Sequence, residues 1–465
     1  MRLSKPFYIP LIAALAFSCQ NEDDQPQLDP ASNAAVNEWI SNVMDEVYLW
    51  LDDLGTPISK NAEPEDYFEA LLNRPTDRFS VIYPDYQELI NSLNGVTLES
   101  GYEFILYRGN PDTSNVVAEI TYVKANSPGS NVDLRRGDVI TKINGTLMTV
   151  SNYRQLLGEL DEMHTISYMR FDELREAFVA MPDATLTSVQ LAENPIFLDT
   201  TYTIDNEKIG YLVYHFFSPG PSSNSTAYDD EIDAIFSNFK AENIDHLIVD
   251  FRYNGGGFVT SAVNLASLIA PGVTAANIFS KTKYNSYLMD QFSNLNNVQT
   301  PFFAKSQNIG PLSENRVYIL TSARTASASE LIINGLKPYM DVYLIGNVTT
   351  GKNVGSIPFE DEENAQNHYG ILPIVSQSFN SLDQSDYTQG FSPNTIALET
   401  SERLLPLGDV NELLLRTAIS QITGEPSPAR FRQLDRVDIG STLDGKIRYG
   451  TLIENQVIKE SVSQH

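Results

Sequence analysis

Three short apolar runs, at 247–251, 317–321 and 342–345, constrain this chain more than any other feature of its sequence. Each is a short, largely apolar stretch, broken only by Asp250 in the first and Thr321 at the end of the second, the pattern of a strand covered on both faces. Stretches of helical character at 259–270 and about 328–337 lie between them. Strands of that kind joined by helices pair in parallel through right-handed crossovers. An earlier strand at 209–217 and a helix opening at Thr226-Ala227-Tyr228-Asp229, a capping-box pattern, extend the series. Ile232, Ile235, Phe236 and Phe239 fall on one face of that helix. The expected fold is an α/β core of parallel-sheet βαβ units over residues 190–425. Ligands in such sheets gather beyond the carboxyl ends of the strands, so chemistry is expected just after 251, 322 and 346.

Upstream, the period of the pattern changes. Val36, Trp39, Ile40, Val43, Met44 and Val47 recur at helical spacing, and 64–73 and 86–93 read as further helical stretches, so an N-terminal helical domain is expected at 34–95. Strands at 103–107 and 116–123, and a run from 139 that ends at the turn signal Asn144-Gly145, mark a β-rich domain at 96–185. Residues 426–465 read as a C-terminal tail. Sixty acidic residues against 31 basic ones give a net charge of −29, a field that repels polyphosphate. No basic run offsets it, which argues against a nucleic-acid partner. One cysteine excludes a disulfide framework and a cysteine-based zinc site, and the five histidines show no ligand spacing, so no metal and no cofactor is expected.

The position of that cysteine is informative. Arg2 and Lys5 precede an apolar run from Phe7 to Phe17, and small Ser18 stands directly before Cys19, which is the order of a secretory signal peptide at 1–18. Ala16-Phe17-Ser18-Cys19 resembles a bacterial lipobox, in which Cys19 becomes the lipidated first residue. An acidic tether follows at 19–33, beginning Gln20-Asn21-Glu22-Asp23-Asp24. The expected location is the bacterial cell envelope, as an outer-membrane lipoprotein facing the periplasm or the cell surface, held to the membrane by lipid on Cys19.

The strand ends carry the chemistry. After the first comes Asp250-Phe251-Arg252-Tyr253-Asn254-Gly255-Gly256-Gly257, where consecutive glycines leave backbone N–H groups open to an oxyanion or phosphate. After the second, Ser327-Ala328-Ser329-Glu330 opens a helix, so Ser327 is either a substrate-facing hydroxyl at the positive helix end or a plain capping residue paired with Glu330. After the third, 346–353 approaches the phosphate-loop pattern G-x-x-x-x-G-K-[ST], but Asn353 replaces the metal-binding hydroxyl and the residues that follow, 354–358, do not start a helix. A second partial pattern, Ser280-Lys281-Thr282-Lys283, fits S-x-x-K without its usual companions and reads as an exposed polar segment.

Together the three segments resemble the C-terminal processing peptidases, or tail-specific proteases, a Ser-Lys serine peptidase family. The matching pieces are 250–257, Ser327 to Glu330, and Gly351-Lys352. Pieces of 96–185 are similar to a PDZ domain: Ser127-Pro128-Gly129, Leu134-Arg135-Arg136-Gly137-Asp138-Val139-Ile140 and Ile143-Asn144-Gly145. The resemblance implies a crotonase- or Clp-like core with an N-terminal helical domain and a β-rich PDZ-like domain. It implies Ser327 as nucleophile and Lys352 as base, with the N–H groups of Gly256 and Ala328 as oxyanion hole. Arg252, Asn254, Glu330 and Ser356 would support them, Ser356 standing where family members often carry a lysine-orienting glutamine. The loop Gly101, Tyr102, Glu103 and Phe104 would receive a peptide's C-terminal carboxylate, although Glu103 would oppose that charge if it faced the groove.

The implied activity is endopeptidase cleavage of extracytoplasmic peptide or protein substrates, some recognised by their C-termini. A lysine serves as base near neutral pH only when uncharged, so Lys352 is expected to be buried. A carboxylate touching its ammonium would oppose this, so Glu330 is expected to cap or position instead. The alternative is a non-catalytic protein on the same fold that binds peptides or apolar ligands.

Overall fold

The computed structural model describes residues 28–108, 114–222, 224–425, 436–446, 448 and 450–454. The expected signal peptide, Cys19 and most of the tether fall outside the described residues. Among those described, no helix is long and apolar enough to cross a membrane.

The apolar runs form the centre of a six-stranded sheet in the order Ile196–Ile204, Glu207–Tyr214, His246–Asp250, Arg316–Thr321, Asp341–Gly346 and Thr395–Ile396. Pairing is parallel from Glu207–Tyr214 onward, and the first strand joins antiparallel. One face packs Val249, Val317 and Ile319 against Ile232, Phe236, Ala262 and Leu331 from the helices Ala227–Glu242, Val259–Ile269 and Ala328–Leu336. The other packs Ile248, Tyr318 and Leu320 against Leu414, Leu415 and Ala418 of the helix Leu413–Thr423. Burial on both faces is why these strands lack alternation.

A second six-stranded sheet lies beyond the crossover helices, in the order Gly256–Phe258, Thr451–Ile453, Val354–Ser356, Ile374–Asn380, Ile278–Tyr284 and Val298–Pro301. The helix Ala328–Leu336 packs against strands of both sheets. Gly335 permits that fit, because a Cβ there would stand 2.3 Å from the ring of Phe279. The segment around Ser280 therefore differs from the exposed stretch expected. It is a strand in which Phe279, Ser280, Thr282 and Tyr284 are buried and Lys283 is exposed; Ser280 and Thr282 are small and polar and so escape a search for apolar residues.

The helices Asn33–Val47, Pro64–Leu71 and Tyr86–Leu93 form where the helical spacing indicates. They do not stand apart from the core. Ile40, Met44, Phe68 and Leu71 pack with Ile371, and the strand Val81–Tyr83 pairs with Gly370–Leu372. The β-rich unit builds a sheet in the order Val437–Ser441, Tyr102–Arg108, Val116–Val123, Val139–Ile143, Met163–Asp172 and Ala177–Ala180, over a core that includes Phe104, Ile120, Ile140 and Ile166. Its first strand comes from the segment expected to be a tail. Residues 437–441 edge this sheet and 451–453 insert into the second sheet, so the C-terminal segment stitches the two units together. The capping box expected at Thr226 is absent: its hydroxyl donates to Asp230 Oδ2 at 3.0 Å and caps no backbone N–H.

Candidate active site

The three strand ends converge as their topology requires. Ser327 stands at the N-terminus of the helix Ala328–Leu336 with φ 62° and ψ −111°, a left-handed backbone that a residue with a Cβ adopts at a cost of about 1 to 3 kcal/mol. The surroundings hold it there. Glu330 Oε2 accepts the Ser327 N–H at 2.9 Å, and a Cβ on Gly256 would meet Ser327 Oγ at 3.0 Å, so only glycine fits beside the hydroxyl. Ser327 Oγ is buried and has no hydrogen-bond partner among the described residues. The Ser327–Glu330 pair keeps the geometry of a capping box, its Glu330 half carried by the hydrogen bond to the Ser327 N–H.

Glu330 joins two of the converging segments. Besides the Ser327 N–H it accepts the Lys352 N–H at 2.8 Å on Oε2, and the Gly351 N–H at 2.7 Å and Thr349 hydroxyl at 2.6 Å on Oε1. The phosphate-loop look of 346–353 acquires a physical meaning here, because the anion those N–H groups bind is the protein's own carboxylate. Burial pushes the Glu330 pKa up and these four bonds oppose the shift. The carboxylate meets the backbone of Lys352, as positioning requires.

Lys352 is fully buried, and burial lowers its ammonium from 10.5 to about 7, against the opposing pull of Asp77 and Glu330. Its Nζ lies 4.7 Å from the centre of the Phe79 ring and donates to the carbonyl of Gly450. Ser356 Oγ has no hydrogen-bond partner among the described residues, so the orienting contact expected there comes from a backbone carbonyl of the C-terminal segment instead. Asp77, Arg78 and Phe79 wall the lysine from the N-terminal side, Arg78 donating to Gly351 O at 3.0 Å. Neither residues 77–80, which lie between two helical stretches, nor Gly450 carry a pattern in the sequence that points to these contacts.

Arg252 and Asn254 shape the glycine turn. Arg252, wholly buried, pairs with Asp250 at 2.7 Å, Glu412 at 2.5 Å and Glu399 at 2.9 Å, fixing the strand end to the helix Leu413–Thr423. Asn254 donates to Tyr214 O and accepts the Gly256 N–H at 2.9 Å. The Gly256 donor expected for an oxyanion is thus engaged and serves only if that bond opens. Ala328 is the first residue of its helix, where an N–H has no intrahelical acceptor.

The loop 101–104 stands apart from these residues. Glu103 is buried there and does not present a free charge: burial alone would raise its pKa, but the ammoniums of Lys124 and Lys446, 2.8 and 2.6 Å away, hold it at about 2. Glu99, Glu103 and Glu193 cluster closely enough to suggest a cation site, yet Lys124, Lys446 and Arg448 already pair with them.

Residues 208–394 match Peptidase family S41, and residues 35–81 match the Peptidase S41 N-terminal domain. The chain belongs to the C-terminal processing peptidase family, S41. It is 22% identical over 248 residues to a carboxyl-terminal-processing protease of a Picosynechococcus species, covering 53% of each chain. A carboxyl-terminal-processing protease of a Synechocystis species is 22% identical over 320 residues, 68% of this chain and 66% of that one. The chain thus spans between half and two thirds of the length of these curated relatives. A crystal structure from Bacteroides fragilis, assigned to the S41 proteases, superposes with a TM-score of 0.70 at 26% identity, over 91% of this chain and all of that one.

Proposed function

We propose that this protein is a serine endopeptidase that cleaves peptide bonds with a Ser327–Lys352 dyad. The observation that carries the reading is a lysine, fully buried and poised at about 7, whose backbone shares the Glu330 carboxylate with the backbone of a strained serine whose hydroxyl has no hydrogen-bond partner among the described residues. Neutral Lys352 takes the Ser327 hydroxyl proton as Oγ bonds to the scissile carbonyl carbon. The oxyanion forms against the Ala328 N–H at the helix N-terminus, joined by Gly256 when its bond to Asn254 opens. Collapse breaks the C–N bond, and Lys352 returns the proton to the leaving amine. A water molecule then hydrolyses the acyl-enzyme, with Lys352 again taking and returning a proton.

The β-rich unit serves in this reading as a PDZ-like peptide binder, with Gly101, Tyr102, Glu103 and Phe104 as its carboxylate loop, and the substrates are extracytoplasmic proteins. Ala16-Phe17-Ser18-Cys19 supports an envelope location with lipid on Cys19. The test of the core reading is mass-labelling with a fluorophosphonate. The expected adduct sits on Ser327 and is absent from Ser327→Ala, and labelling elsewhere, or none, overturns the assignment.

A further inference from the structure

The strand Val437–Ser441 lies where an added peptide strand would lie. It pairs antiparallel with the edge strand Tyr102–Arg108, Val437 opposite Arg108 and Ser441 opposite Ile105, so it runs toward the loop 101–104. Where a bound peptide would end, Thr442 Oγ1 accepts the Phe104 N–H at 3.0 Å, the place of a carboxylate oxygen. Ile439 packs onto the β-rich core as a ligand's anchoring side chain would. A cavity of about 690 Å³ opens beside this point, lined in part by Tyr102, Phe104, Leu157, Leu160 and Thr442.

The same segment reaches Lys352 and the stretch that leads into Ser327. Arg324, three residues before Ser327, grips Asp438 at 2.8 Å and Asp444 at 2.9 Å. Lys446 binds Glu99 and Glu103 at 2.6 Å, Arg448 binds Glu193, and Gly450 O takes the ammonium of Lys352.

We propose that residues 437–442 are a tethered pseudo-ligand on the peptide-binding edge, which the free C-terminal segment of a substrate displaces, and that displacement releases Lys352 toward Ser327. The occupant is an extended peptide ending in a free carboxylate and an apolar side chain: strand pairing supplies its backbone bonds, the Phe104 N–H its charge-assisted bond and the cavity its side-chain site. The inference rests on the PDZ-like and dyad readings above and adds to them a competitor built into the chain.

A reversible lock tests it in the full chain. In a Cys19→Ser background, Arg108→Cys with Val437→Cys places thiols at directly paired positions, a spacing a disulfide spans. The probe is a fluorescein-labelled decapeptide ending in free Leu, read by anisotropy beside its amidated twin. Reduced protein is expected to bind the free acid at least about tenfold more tightly than oxidised protein, with the amide weak in both. Equal affinity in the two states overturns the pseudo-ligand. Hydrogen exchange of the unlocked protein gives a second reading without the cysteines: amides 437–441 lose protection when the free-acid peptide is added, and unchanged protection also overturns it. Fluorophosphonate labelling of Ser327 should accelerate with peptide only in the reduced form, and insensitivity to the lock overturns the release of Lys352. If Ser327 labels in neither form, the peptidase reading fails, while the binding contrast still decides the pseudo-ligand.

Discussion

The pH dependence of Ser327 acylation tests the dyad most directly. Lys352 is lowered to about 7, chiefly by burial, with Asp77 and Glu330 pulling it back up. At pH 7.5 roughly three quarters of such a lysine is neutral, against about one in a thousand for a solvated lysine. The difference in available base is several hundredfold, within the 10²- to 10⁴-fold that a positioned base contributes. The assay is the rate of fluorophosphonate labelling from pH 5.5 to 9.5, which should rise about tenfold per pH unit at the acid end and level off with a midpoint near 7. Lys352→Arg should be as inactive as Lys352→Ala, since guanidinium keeps its proton. A midpoint above 9, a flat profile, or retained activity in the arginine variant would refute the reasoning. The same shift has a stability signature with a definite sign. Between about 7 and 10.5 the unfolded chain holds a proton that the folded one lacks, so this group's contribution to stability rises with pH across that window. Below it, the folded protein carries a penalty of about 5 kcal/mol. Lys352→Met should therefore melt higher than wild type at pH 6, and the advantage should shrink toward pH 9.5.

Other residues give independent tests. Glu330→Gln should abolish labelling and lose about 2 to 4 kcal/mol of stability in denaturant titration, because an amide oxygen cannot accept all the donors that the carboxylate now holds. Wild-type stability in that variant would show that the shared carboxylate is dispensable. Ser327→Gly should be inactive yet more stable than Ser327→Ala by about 1 kcal/mol, since glycine adopts φ 62° without strain; equal stabilities would mean the serine backbone is unstrained. Glu103 is held at about 2, so its ion pairs contribute above about 4.5 and are lost as pH falls toward 2. Glu103→Gln should accordingly flatten the acid loss of stability, and an unaltered acid profile would count against the pairing. Cys19→Ser should release the protein from the membrane fraction with its labelling rate unchanged.

The local pattern of the chain determined its α/β core, because strands buried on both faces are largely apolar without alternation and a crossover helix must show its period. It also indicated where the residues of the proposed dyad lie: serine at a strand-to-helix junction, glycines after a parallel strand, and lysine after another, positions that the topology brings to one end of the sheet. Only the tertiary structure decided how those residues are held. That the Gly351-Lys352 loop binds Glu330 rather than a phosphate depends on a contact across 21 residues. That Gly450 rather than Ser356 orients the lysine depends on a strand arriving from the end of the chain. The residues of that segment carry no periodicity of their own, since 437–441 and 451–453 are short edge and insertion strands whose partners lie far off along the chain. Strand pairing of this kind is satisfied by backbone groups that every residue possesses, so it leaves little trace in side-chain pattern.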